Sequence, residues 1–301
     1  MNQGGLVNPN PNMGNAGLDN FGSSKYVSGT KEFLQSNSIV AKFAFLLLVL
    51  ILFVLALRLG TSILSYIFAP KQDPILLNGM IDAKQMVVIP QDPSSKGAIP
   101  IMRSKNQSDG LVFTWSVWIY INDLQYKQGQ YRHVFHKGND DINTTSAPLG
   151  MNQPNNAPGL YIAPESNALV VVMNTFEKIN EEIVVGDIPL NKWINVIIRV
   201  DEQQQLDVYI NGSLIKRHIL ESVPKQNYDD VYVSMNGGFS GYTSSLRYFD
   251  TAIGTNQIQA IAEKGPNTNL IGNSSNDVTS NKPPYLSLRW YFAGNNDMYN
   301  P

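Results

Sequence analysis

Residues 188–212 read IPLNKWINVIIRVDEQQQLDVYING, and this stretch decides the fold. Residues 194–200 are an almost unbroken apolar run headed by Trp193. Residues 206–210 alternate, with Leu206, Val208 and Ile210 on one side and Asp207 and Tyr209 on the other. A two-residue period is the signature of a β-strand with one buried face. Asn211-Gly212 follows at once. These two residue types tolerate the positive φ values that a type I′ hairpin turn demands, so the pairing register is set there.

Working outward, residues 113–121 (FTWSVWIYI) place Phe113, Trp115, Val117, Ile119 and Ile121 on one face and Trp118 and Tyr120 on the other. Both faces are largely apolar, which suits a strand in the middle of a layered domain. Further strand patterns occur at 133–136, 159–162, 168–173, 231–235 and 242–249, and one short helical pattern at 255–263 places Ile258 and Ile261 together. Many short strands separated by turns, with little helix, predict an all-β sandwich or barrel. Residues 70–98 read as a linker with the first strands. The sandwich is then expected over 99–301, closed by a last strand in the segment from Pro283 on the alternation of Leu286, Leu288 and Trp290.

Upstream the pattern changes. Residues 43–57 (FAFLLLVLILFVLAL) carry no polar side-chain atom, and apolar character continues past Arg58 to Phe68. Crossing about 30 Å of hydrocarbon takes about 20 helical residues, so residues 39–69 are expected to be a single transmembrane helix. Arg58 lies late in the run, where its stem reaches the interface, and Tyr66 suits the same belt. A cleaved signal peptide is disfavoured by the residues that precede the run. Lysines flank both sides, so the positive-inside rule gives no orientation. Residues 1–38, rich in Asn and Gly, are expected to be disordered alone.

Composition excludes several functions. The chain has 301 residues, 22 basic against 24 acidic side chains, and no cysteine. Thiol nucleophiles, disulfides and thiolate metal sites are excluded. The part after the apolar run is mildly acidic, which argues against nucleic acid as a partner.

The strand motifs resemble the concanavalin A-like lectin/laminin-G domain. The pieces appear in that family's order: Phe113-Thr114-Trp115-Ser116-Val117-Trp118, then Val134-Phe135-His136-Lys137-Gly138, then residues 188–196 around Trp193. The Asp207–Gly212 hairpin follows, and then Gly241-Tyr242 with Leu246–Phe249. The resemblance implies a jelly-roll β-sandwich with Trp115, Trp118, Trp193, Tyr209, Asn211 and Gly212 as structural residues. With an N-terminal anchor, an Asn/Gly-rich tail and no cysteine, the chain is also similar to membrane proteins of large DNA viruses. That similarity implies an adaptor on a virion membrane or among minor capsid proteins, tethering the bilayer to a protein shell. The alternative it leaves open is a cell-surface adhesion lectin that binds glycans.

Glycosidases of this fold carry paired carboxylates on one strand, as E-x-D-x-x-E or E-x-D-x-E. Neither occurs, so no enzyme is expected, and Glu177, Glu181 and Glu182 read as a solvated hairpin rim. His133 and His136 are three apart. On a regular strand that spacing puts them on opposite faces, one inward and one exposed, out of reach of a single zinc ion. Asn139, Asp140, Asp141 and Asn143 form an oxygen-rich loop suited to calcium, although the same residues are ordinary turn formers. No other cofactor is expected. Loop or edge aromatics that could meet a glycan are Tyr126, Tyr131, Tyr228, Phe239 and Tyr242, and most of them suit equally well as caps on the core. Four N-x-S/T triplets begin at Asn106, Asn143, Asn211 and Asn273.

Overall fold

The computed structural model describes residues 38–68, 71–103 and 111–271. It divides the chain into two compact units, Met1–Ala69 and Pro70–Pro301. The expected disordered tail (apart from Ser38), the closing strand after Pro283 and the triplets at Asn106 and Asn273 lie outside the described residues.

In the first unit, Ile39–Phe68 forms one 30-residue helix, α1. At 1.5 Å per residue it is about 45 Å long, more than the hydrocarbon thickness of a bilayer. Large apolar side chains stand exposed along its length: Phe43 is 72% exposed, Leu52 56% and Ile63 50%. A soluble amphipathic helix would hide one such stripe and show polar residues elsewhere. Among the described residues, α1 is the one helix long and apolar enough to cross a membrane.

The second unit is a sandwich of two six-stranded antiparallel sheets. The first contains β1 (Met80–Asp82), β12 (Gly241–Phe249), β3 (Phe113–Ile121), β8 (Trp193–Val200), β9 (Gln205–Ile210) and β10 (Ser213–Ile219), in that spatial order. The second contains β2 (Val87–Ile89), β11 (Val231–Val233), β4 (Arg132–Lys137), β5 (Gly159–Ile162), β6 (Ala168–Met173) and β7 (Glu181–Gly186). Residues 70–98 thus supply one strand to each sheet, and Leu76 and Leu77 are wholly buried.

The inward set predicted for residues 113–121 fills the space between the sheets. Trp115 is its centre. It stacks on Phe135 from the opposite sheet at 5.2 Å and takes the edge of Tyr248, its neighbour on β12, at 5.2 Å. The outer faces are covered differently. Helix α2 (Thr255–Lys264) lays Ile258 on the first sheet against Ile197, Tyr209 and Phe249. On the second sheet, the long segment 138–158 covers a small cluster of Met151, Tyr161, Val170 and Val172. Asn211 and Gly212 have φ of 49° and 82°, as the I′ turn requires.

One irregularity rearranges β4. Its pairing with β5 slips between His133 and Phe135, so Val134 is an extra residue. Val134 and Phe135 both enter the central core. The bulge therefore turns His133 to the same outer face as His136, and the expectation of one inward and one exposed histidine is corrected. Both rings are buried, 4.9 Å apart, with His133 Nε2 2.6 Å from His136 Nδ1. The slip is invisible to a two-residue period.

Candidate functional site

Downstream of the bulge, β4 resumes its alternation. Phe135 points in, His136 out, and Lys137 is brought to the inner side at the very end of the sandwich. The strand stops at Gly138, where a Cβ would lie 1.9 Å from the Asn155 carbonyl oxygen, so any larger residue would displace the covering segment. The Gly138 N–H donates to the Asp230 carbonyl at 3.1 Å, which ties this end of β4 to the approach to β11.

The two sheets gape here around a cavity of about 380 Å³. Phe113, Trp115 and Tyr248 line its apolar side. Lys137, Lys225, Arg103, Asp230 and Tyr228 are among its polar lining. Tyr228 is 85% exposed. Several hydrogen bonds fix the walls. Gln91, just after β2, donates its N–H to the Asp230 carboxylate at 2.8 Å, and its Oε1 accepts from Ile101 N at 2.9 Å. The Tyr248 hydroxyl donates to the Met102 carbonyl at 2.8 Å. Two strand ends and one strap, from segments far apart in sequence, thereby converge on one opening.

Lys137 is the unusual group. Its Nζ donates to the Asp229 carbonyl at 2.6 Å, and Asn227 Nδ2 donates to its own carbonyl at 3.1 Å. Burial pulls the amine down to about 8 from its ordinary 10.5, with Asp229 and Asp230 pulling the other way. Burial also pushes the Tyr248 phenol up, so it remains a neutral donor.

The residues singled out from sequence are scattered over the domain. Tyr126 donates to the Gly237 carbonyl at 3.0 Å, with Lys84 4.7 Å from its ring centre. Tyr131 donates to Glu182 at 3.1 Å and packs edge-on against Tyr161. Phe239 is a wholly buried core residue, so its reading as an aromatic that could meet a glycan is corrected. Tyr242 lies on the outer face of the first sheet, in a row with Tyr120 and Trp193. Of the five aromatics, Tyr228 is the one that lines the cavity.

In the oxygen-rich loop, Asn139 Oδ1 accepts from Asn152 Nδ2 and Asn155 N, both at 3.2 Å. Asn143 Oδ1 accepts from Thr145 N at 3.2 Å and Ser146 N at 3.0 Å. Both amide oxygens are thus occupied in turns, while the Asp141 N–H is held by Asn152 and Asp140 lies beside His136. Among the described residues, no group of three or more His, Cys, Asp or Glu side chains could hold a metal ion. Glu181 is buried rather than a solvated rim residue. His218 Nε2 sits 2.6 Å from its carboxylate, which also accepts from the Glu221 N–H, joining the edges of the two sheets.

Lys137 lay inside a motif read for fold alone. Counting by two from Phe135 places it inward at a strand end, which is the signal that points to it. The arrival of Gln91, Arg103, Asp230 and Tyr248 beside it carries no local sequence mark.

Residues 95–259 match the profile of the concanavalin A-like lectin/glucanases superfamily, in its laminin-G form, and the chain belongs to that family. Among solved structures, it is similar to the receptor binding domain of botulinum neurotoxin C/D mosaic serotype. The identity is 13% and the TM-score 0.40, over 51% of this chain and 36% of that one. It is similar too to the botulinum neurotoxin serotype D binding domain, at 13% identity and TM-score 0.39, over 51% of this chain and 37% of that one. The chain thus spans about a third of the length of these two structures. No curated protein matches it.

Proposed function

We propose that this chain is a membrane-tethered, non-catalytic binding protein, anchored in the bilayer by α1 and holding a saccharide in the cavity at the end of its sandwich. The observation that carries the reading is the cavity itself. Its volume of about 380 Å³ falls within the range of small-ligand pockets, roughly 300–1,000 Å³. It sets an aromatic side against polar groups, the combination that a sugar ring with its apolar face and hydroxyl edge requires. Family membership supports the same direction at the level of fold. The absence of a paired-carboxylate motif supports binding without hydrolysis.

The test is a glycan array probed with the full-length chain in lipid nanodiscs, with calcium and with chelator. Specific retention is expected in both conditions, because the Asn139 and Asn143 oxygens are already occupied. It should weaken at least about fivefold in Tyr228→Ala, since losing one aromatic contact costs about 1 kcal/mol or more. Retained glycans should be recovered uncleaved. Binding at background level, binding indifferent to Tyr228, or released reducing ends would each overturn the reading.

A second reading, an adaptor joining a membrane to a protein shell such as a viral capsid, draws support from β10. Among the described residues, this strand pairs on one side with β9, lies last in its sheet, and exposes Leu214, Ile215 and Ile219. An apolar edge strand is a surface on which a partner strand can add.

A further inference from the structure

Lys137 sets a chemical condition on whatever occupies the cavity. The residue is 9% exposed, and among the described residues its Nζ has one hydrogen-bond partner, the Asp229 carbonyl oxygen at 2.6 Å. An ammonium has three N–H groups to satisfy. Among the described residues, none of the ion pairs within 4.0 Å involves Lys137. A buried cation with no contact ion pair and incomplete hydrogen bonding is costly, and such groups are retained where a ligand completes them.

The neighbouring acids hold other donors, and Asp229 and Asp230 favour the charged amine only from a distance. The Asp230 carboxylate accepts from the Gln91 N–H at 2.8 Å. That of Asp229 accepts from Asn155 Nδ2 at 3.2 Å, and that of Asp92 from the Ser94 N–H at 2.9 Å. Two further cations, Arg103 and Lys225, line the same cavity, against Asp92 and Asp230 on the acidic side. The remaining titratable groups there are Tyr228 and Tyr248, and the Tyr248 hydroxyl already donates to Met102. Among the described lining residues, three cations (Arg103, Lys137, Lys225) face two carboxylates (Asp92, Asp230), and Lys137 is the most buried of the cations.

We propose that the ligand of this pocket is an acidic saccharide, whose carboxylate or sulfate group sits against the Lys137 ammonium. This rests on the saccharide reading above and narrows it. The sugar ring would use the aromatic side, and the anion would supply the missing counter-charge through a charge-assisted hydrogen bond. A linked consequence follows from the amine's titration near 8. At that pH about half of the free protein is neutral at Lys137. An anion favours the charged form, so binding draws a proton from solution, and affinity declines as pH rises above about 8.

The experiment is calorimetric titration of the full-length chain in nanodiscs with methyl β-glucuronide, methyl 6-sulfo-β-glucoside and methyl β-glucoside. Measurements at pH 7 and 8 in buffers of different ionisation enthalpy count the protons exchanged. The acidic sugars are expected to bind about tenfold or more tightly than the neutral parent, the scale of a hydrogen bond to a charged group. Net proton uptake should appear at pH 8. Lys137→Gln should abolish both the preference and the uptake, so that acidic and neutral sugars bind the variant with similar affinity. The wild-type proton count stands as evidence whether or not that variant folds. Equal affinities, or no proton uptake, would overturn the acidic ligand and leave the saccharide reading intact. Failure of all three sugars to bind, where the array also gave none, would remove both.

Discussion

His133 and His136 show how much a single residue's protonation can rest on geometry. The Met235 N–H donates to His133 Nδ1 at 3.0 Å, so that nitrogen bears no proton. The proton of the neutral ring is then on Nε2, which donates to His136 Nδ1 at 2.6 Å. His136 in turn carries its proton on Nε2 and donates to the Asn139 carbonyl at 2.8 Å. Every link fixes the next, and both rings must be neutral. Tyr161 and Tyr232 pack against them, and Asp140 acts weakly in favour of charge on His136. Burial holds His133 well below 6.5 and brings His136 down to about 4. The folded state therefore binds fewer protons than the unfolded chain. Stability is complete above about pH 6.5 and falls on acidification by about 1.4 kcal/mol per unit for each ring, until that ring's folded value is reached. Urea unfolding of the sandwich followed by tryptophan fluorescence should show the midpoint dropping between pH 7 and 5. His136→Gln, which keeps a donor for Asn139, should lose about half of that slope. A midpoint flat over this range, or a slope unchanged in the variant, would contradict the neutral chain. None of this was legible beforehand: the spacing of two histidines says nothing until the bulge at Val134 is known.

Strands announced themselves where apolar and polar residue types alternate. Leu206, Val208 and Ile210 declared β9 because Asp207 and Tyr209 alternate with them. The Asn211-Gly212 turn declared its partner, β10. Gly212 is required there by its φ of 82°; an added Cβ would also meet the tip of the Gln259 side chain of α2 at 2.9 Å, a flexible end that can swing aside. Gly212→Ala is expected to cost about 1–2 kcal/mol, the penalty of a left-handed conformation for a residue with a Cβ. A change below about 0.3 kcal/mol in the urea unfolding free energy would contradict this account of the turn. Elements defined by long-range pairing were less legible. Strands β1 and β2 have three residues each and become strands through β12 and β11, so their own sequence carries too few alternations to count. Glu181 was misplaced for a related reason. The alternation of β7 is clear, but nothing local reveals that His218, from the other sheet, closes over its first residue.

At the scale of the whole molecule, the chain joins two kinds of solubility. One unit is a 30-residue helix with apolar side chains in the open, and the other is a sandwich built around an enclosed apolar core. The division was legible because hydropathy changes abruptly near residue 70. The cavity was not, because its walls come from seven stretches of chain spread between Gln91 and Tyr248 that meet through folding alone. If both halves act as proposed, one chain couples a bilayer to a saccharide surface. The direct measurement is capture of dye-filled vesicles, reconstituted with the full-length chain, on a surface bearing the glycans retained by the array. The account predicts that dye is held on that surface with the wild-type chain and passes through with Tyr228→Ala. Protein caught on the surface while the dye washes away would contradict the membrane anchor, and protein-bearing vesicles that never attach would contradict the binding site.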